Sequence, residues 1–130
     1  MKKLLPVLIF GWIAVFSTSC AKQKLTKTWQ VSQYKEDGED KTSEFHLIFP
    51  GYQLTFFDNG DFEATAFPLG IETTLTGTWE FQDAKTKLKL DYDDQNEGTQ
   101  VFDCHKLTSD ELNVSRQTDK KEEIFLVAVD

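Results

Sequence analysis

The sequence predicts an all-β protein, an up-and-down antiparallel barrel of about eight strands. Three observations predict it. Beyond the first 28 residues, segment after segment alternates apolar and polar side chains with a period of two, and none shows a helical period. Short polar turns separate these segments. The central stretch Tyr52 to Phe67, YQLTFFDNGDFEATAF, is a hairpin whose apolar face is too large for two strands to hide.

That hairpin sets the register of the rest. Asn59 and Gly60 tolerate the positive φ of a tight loop. A two-residue loop at Asn59-Gly60 would put Glu63 on the face of Leu54 and Phe56. A three-residue loop with Gly60 left-handed in a G1 bulge pairs Phe56 with Phe62, Leu54 with Ala64 and Tyr52 with Ala66, and keeps that face apolar. The second register is favoured, because a slip of one residue turns every side chain to the wrong face. Phe57 and Phe67 then fall on the opposite, mostly polar face.

The other elements follow in order. WQVSQY, Trp29 to Tyr34, alternates Trp29, Val31 and Gln33 against Gln30, Ser32 and Tyr34, as a half-buried first strand does. The charged run Lys35 to Glu44 is expected as a long exposed loop. Phe45 to Phe49 is strand-like until Pro50-Gly51 interrupts it, leaving two short strands or one bent one. After the turn Pro68-Leu69-Gly70, TLTGTWEF points Leu75, Gly77, Trp79 and Phe81 one way, and KLKLDYD does the same with Leu88, Leu90 and Tyr92. Asp93 to Gly98 is a polar turn. Strands are expected at Thr99 to Leu107, Glu111 to Gln117 and Lys121 to Val129, the last apolar on both faces, as befits a strand that closes against the first. With Pro50-Gly51 taken as a bulge, the strands number about eight, the smallest comfortable closed barrel.

The front of the chain carries an address. Lys2 and Lys3 precede an apolar run from Leu4 to Phe16, then Ser17, Thr18, Ser19 and Cys20, the charge, apolar and small-residue order of a secretory signal. The run is shorter than the ~20 residues a spanning helix needs. Residues 1–19 are therefore expected as a signal, 20–28 as a lipidated Cys and tether, and 29–130 as the barrel. Ordinary cleavage after Ala21 is the alternative to lipidation. Cys104 is the only other cysteine, so burial rather than a disulfide must hold the domain. Without the two signal lysines, 12 basic residues face 22 acidic ones, a net charge of −10. This disfavours nucleic acid and an electrostatic hold on anionic lipid.

Several features carry a resemblance. Cys20 at the end of the signal resembles the lipidation site of bacterial lipoproteins, with Ser17 where that class usually has Leu. Leu25 and Trp29 spaced as apolar-x-x-x-Trp, Phe56 and Gly60 as Phe-x-x-x-Gly, and Gly77 to Trp79 as Gly-x-Trp resemble the small lipocalin-like lipoproteins of Gram-negative bacteria. The chain departs in having Lys27 at an expected Gly and no C-terminal helix. The resemblance implies a lipocalin-like barrel, lipid-anchored through Cys20 to the outer membrane. The periplasmic face is expected, since no acidic run follows Cys20. It also implies structural roles for Trp29, Gly60, Gly77 and Arg116, the only arginine, which would cover Trp29 or Trp79 by a cation-π contact.

No catalytic set is signalled, and no enzyme, metal site or cofactor is expected. Cys104 and His105 are strand neighbours and point to opposite faces. His46 shares a strand face with Glu44, but zinc needs a third protein ligand. DYDDQNEG places Gly98 as an EF-hand would, yet Cys104 stands where the bidentate Glu belongs. Asp103 and His105 alternate with Val101 and Leu107 and are candidates for buried polar groups inside the barrel. The leading expectation is a small apolar ligand held by Tyr52, Leu54, Phe56, Phe62, Trp79, Phe81 and Tyr92. The alternative is a packed barrel that acts through its outer surface, with Phe57 and Phe67 as anchors. Oligomeric state is not legible.

Overall fold

The computed structural model describes residues 21–129. The expected signal and Cys20 lie outside the described residues. The strands are β1 (Thr28–Glu36), β2 (Glu39–Asp40), β3 (Gln53–Phe56), β4 (Asp61–Ala66), β5 (Thr73–Gln82), β6 (Lys87–Tyr92), β7 (Thr99–Leu107), β8 (Glu111–Gln117) and β9 (Lys121–Val129). One short helix, α1 (Thr42–Ile48), precedes β3, and a 3-10 turn (Pro68–Gly70) precedes β5. The two-residue β2 pairs only with β1. The other eight strands form an antiparallel barrel, closed where β9 returns to β1 from Thr28↔Val129 to Glu36↔Glu122.

The central hairpin adopts the register that keeps its inner face apolar, with Phe56 opposite Phe62 and Leu54 opposite Ala64. The Phe57 amide donates to the Asp61 carbonyl at 2.9 Å, and the Gly60 amide to the Phe57 carbonyl at 3.2 Å. Gly60 takes φ +95°, which a side chain would strain. β5 and β6 alternate as expected, burying Gly77 and Trp79, then Leu88 and Leu90.

Four expectations fail for local reasons. Lys35 to Glu44 is not a loop: β1 runs on to Glu36, turns at Asp37-Gly38 and pairs back through β2. Phe45 to Phe49 is not a strand. Asp40 accepts bonds from the amide and hydroxyl of Thr42 at 2.9 and 2.6 Å, which starts α1. Phe45 and Phe49, one turn apart, then pack with their rings tilted and 5.3 Å between centres. On this helix His46 and Glu44 no longer share a face. The alternation of β1 breaks at a bulge between Val31 and Gln33, which turns Tyr34 rather than Gln33 inward. A second bulge between Cys104 and Lys106 leaves Phe102, Cys104 and Leu107 packed against the core, while Val101, Asp103 and His105 face outward.

The tether is also shorter than expected. Residues 21–25 form a helical turn, and Leu25 is fully buried. Its carbonyl accepts the indole N–H of Trp29 at 2.9 Å. Lys27 stands where a Gly was expected, and its Nζ donates to the Ser109 carbonyl at 2.8 Å while lying 5.9 Å from the centre of the Trp29 ring. Residues 25–28 thus belong to the end of the barrel that this segment plugs. α1, the Pro68–Gly70 turn and the β6–β7 and β8–β9 turns surround the other end.

Candidate functional site

Inside the barrel, below α1, lies a cavity of about 420 Å³. The buried side chains of Leu54, Phe56, Leu88, Leu90, Leu112 and Leu126 form its floor, with Val31, Ala64, Phe102 and Val114 on its walls. Tyr34, Phe45, Ile48, Phe49, Tyr52 and Tyr92 surround its mouth. Its size falls within the ~300–1,000 Å³ of small-molecule sites.

The mouth carries a charged network. The Tyr34 hydroxyl lies 3.1 Å from a Glu122 carboxylate oxygen and 3.3 Å from one of Glu36. Glu36 is paired with Lys120 at 2.8 Å, and Glu122 with Arg116 at 3.3 Å. The Lys120 hydrogen bond holds the Glu36 carboxyl below its ordinary range. Burial, reinforced by Glu122, pushes the Tyr34 phenol well above its ordinary value. Burial likewise raises Tyr52 and Tyr92, with the Glu97 carboxylate adding to both. All three tyrosines of the chain therefore stay neutral at physiological pH and line one cavity.

Four of the seven residues expected at a ligand, Tyr52, Leu54, Phe56 and Tyr92, line this cavity. Phe62, Trp79 and Phe81 stand below it, because the plugged end is closed by interlocked rings. Phe56 meets Trp79 edge-on at 5.7 Å, Phe62 meets Tyr92 at 5.0 Å, and Trp79 meets Phe81 at 5.6 Å. Trp79 is pinned there by its indole N–H, which donates to the Phe57 carbonyl at 2.9 Å. Gly77 serves the same packing. A Cβ there would come within 2.7 Å of the Phe62 ring and would collide with the Asp91 carbonyl.

Arg116 points inward, as the Leu112, Val114, Arg116 alternation suggests, but it covers neither tryptophan. Its guanidinium lies 5.3 Å from the centre of the Phe102 ring, because Glu122 draws it toward the mouth. Trp29 is covered by Lys27 instead. The α1 residues of the mouth were missed because Phe45 to Phe49 was taken as a strand. Tyr34 and Glu36 were missed because nothing in WQVSQY marks the bulge. Gln100, which also lines the cavity, had only its inward alternation with Phe102 as a signal.

Two other clusters bear on chemistry. His105 Nε2 and Ser115 Oγ lie 2.6 Å apart. The carboxylate beside them, Asp103, is engaged by Lys87 at 2.7 Å, and the three sit on the outer wall, away from the cavity. Cys104 is half-buried against the core, and burial raises its thiol pKa, which makes it a small packed hydrophobe. Among the described residues no three His, Cys, Asp or Glu side chains converge as metal ligands would.

An eight-stranded antiparallel barrel, plugged at one end and hollow at the other, defines a class of cup-shaped folds. The family model described as a lipocalin-like domain matches residues 25–114, and the chain belongs to that family. Solved structures agree on the fold. A lipocalin-like protein from Bacteroides uniformis is similar over 78% of this chain and 96% of its own, at 20% identity and a TM-score of 0.60. A DUF4847 family protein from Bacteroides vulgatus is similar over 79% and 92%, at 17% identity and a TM-score of 0.57. The bovine odorant binding protein, solved with a selenium-containing odorant, is similar over 84% and 73%, at 16% identity and a TM-score of 0.53. Among curated proteins none matches.

Proposed function

We propose that this protein binds a small, largely apolar molecule within its barrel and does so in the cell envelope, anchored by a lipid on Cys20. The single observation that carries the binding function is the 420 Å³ cavity floored by apolar side chains. That a structural relative is an odorant binding protein supports the same reading. The order Lys-Lys, apolar run, small residues, Cys supports export and lipidation, with the periplasmic face of the outer membrane as the location. Binding without catalysis is part of the proposal, since the His105–Ser115 pair found among the described residues lies on the outer wall, away from the cavity.

Native mass spectrometry of the protein purified gently from its own envelope tests this. A discrete extra mass that leaves on unfolding, and that Ala64→Phe diminishes, is the expected result. An unliganded mass together with no uptake of the neutral probe N-phenyl-1-naphthylamine would overturn it. Metabolic labelling with palmitate separately tests the anchor: the label is expected on the native chain and absent from Cys20→Ala.

One observation favours a second reading, an interaction module that works through its surface. Leu47, Ile48, Leu69 and Ile71 are exposed on α1 and the β4–β5 connection beside the mouth, Leu69 to 98%. Phe57 and Phe67, the anchors expected from sequence, are exposed too, but at opposite ends of the central hairpin.

A further inference from the structure

The cavity mouth carries more charge than an apolar cargo requires, and that charge is unevenly neutralised. Its two basic lining residues are both engaged, Lys41 with Glu39 at 3.3 Å and Arg116 with Glu122 at 3.3 Å. Of its lining carboxylates, Glu36 and Glu122 are paired. Glu44 and Glu97 also line it, and neither has an ion-pair partner among the described residues. The uncompensated charge at the opening is therefore negative.

The neutral groups at the mouth fit the same cargo. Phe45 lies 5.3 Å from Tyr34, 5.3 Å from Phe49 and 5.5 Å from Tyr52, so four rings cluster beside Glu44. Ring faces attract a cation and repel an anion, and the attraction grows when the cation is desolvated. Below this collar the lining is apolar apart from Gln100, so a ligand places its chain inward and its head among the rings and carboxylates.

From this placement we infer that the cavity selects single-chain amphiphiles with an ammonium head over those with a carboxylate head. The inference rests on the proposed binding function and names its ligand class. A fatty carboxylate entering tail-first would bring its charge beside Glu97 and Glu44, with both lining cations already engaged. An alkylammonium would meet an opposite charge and an aromatic collar, and a primary alcohol should fall between the two.

The test uses three ligands of equal chain length, dodecyltrimethylammonium, dodecanol and dodecanoate. Each competes below its micellar concentration, at pH 7.5, for N-phenyl-1-naphthylamine bound to the protein as its host processes it. The ammonium is expected to compete at least tenfold more strongly than the carboxylate. Glu97→Gln, a change on an exposed turn, should weaken the ammonium ~5-fold, the size of one unit charge across a wet site, and leave dodecanol unchanged. A carboxylate that competes as well as the ammonium overturns the inference while the binding function stands. Equal effects of Glu97→Gln on all three ligands also overturn it. If the naphthylamine probe is not taken up and the native mass carries no ligand, the binding function itself falls and the inference with it.

Discussion

The two ends of this barrel are made from the same strands, yet one is solid and the other hollow. On β4 the inward residues shrink from Phe62 at the plugged end to Ala64 and Ala66 toward the mouth. On β5 they run from Trp79 through Gly77 to Leu75, and Gly77 is small so that the Phe62 ring can lie over it. The large rings of β4 and β5 therefore gather at one end, and the volume not filled by Ala64 is left open at the other. A cavity in a small barrel is thus decided by the order of side-chain sizes along each strand, since the backbone closes the same way whether it is filled or not.

The sharpest way to break the contrast is at the plug. Trp29 is fully buried, and its indole N–H satisfies the Leu25 carbonyl. Trp29→Ala should lower stability by ~3–5 kcal/mol, measured by urea unfolding followed through Trp79. Ile48→Ala, on an exposed site of α1, should change it by less than ~1 kcal/mol. Comparable losses at the two sites would mean that the mouth is as tightly built as the plug.

Next in size is Gly77→Ala. The new methyl has no room against the Phe62 ring or the Asp91 carbonyl, so a loss of ~1–3 kcal/mol is expected. In a Phe62→Ala background that loss should shrink, because one of the two obstacles has gone. Additive losses in the double-mutant cycle would show that the ring is not what the glycine accommodates.

At the hollow end the same kind of change should be tolerated. Ala64 lines the cavity, so a larger side chain there can enter open space. Ala64→Phe should keep stability within ~1 kcal/mol while reducing naphthylamine uptake at least tenfold. A loss matching that of Gly77→Ala would mean the cavity is too rigid or too small to receive a ring.

The legible and illegible parts of the sequence follow the same division. Strands β5, β6 and β8 and the central hairpin are legible because each buries one face, so alternation reports burial directly. The turn at Asn59-Gly60 even sets the register. Bulges are not legible: Ser32 sits in the alternation as a polar residue after Val31, and the insertion that turns Tyr34 and Glu36 toward the cavity leaves no mark in composition. α1 is misleading because seven residues are too few to show a helical period, and its start depends on Asp40 reaching Thr42. For the candidate site, side-chain size was available but not depth. Phe62 and Trp79 share a face with Phe56, and only the closed barrel shows that they lie beneath the cavity floor.

The gentlest probe of the contrast is alkaline titration, since every tyrosine of the chain lines the cavity. Burial raises the phenol pKa of Tyr34, Tyr52 and Tyr92 in the folded protein. A group raised on folding contributes stability that is complete below its unfolded pKa and is lost as pH climbs above it. Cys104, whose thiol burial also raises, should cost stability from pH ~8.5, and the tyrosine share should be lost beyond ~10, where the unfolded phenols ionise first. Half a unit above that value one such tyrosine accounts for ~0.8 kcal/mol. Tyr52→Phe should remove its share of the alkaline slope in urea titrations and leave the neutral plateau nearly unchanged. An unchanged slope in Tyr52→Phe would mean that its hydroxyl is hydrated in the folded barrel as fully as in the unfolded chain, and that the mouth is open water rather than a site.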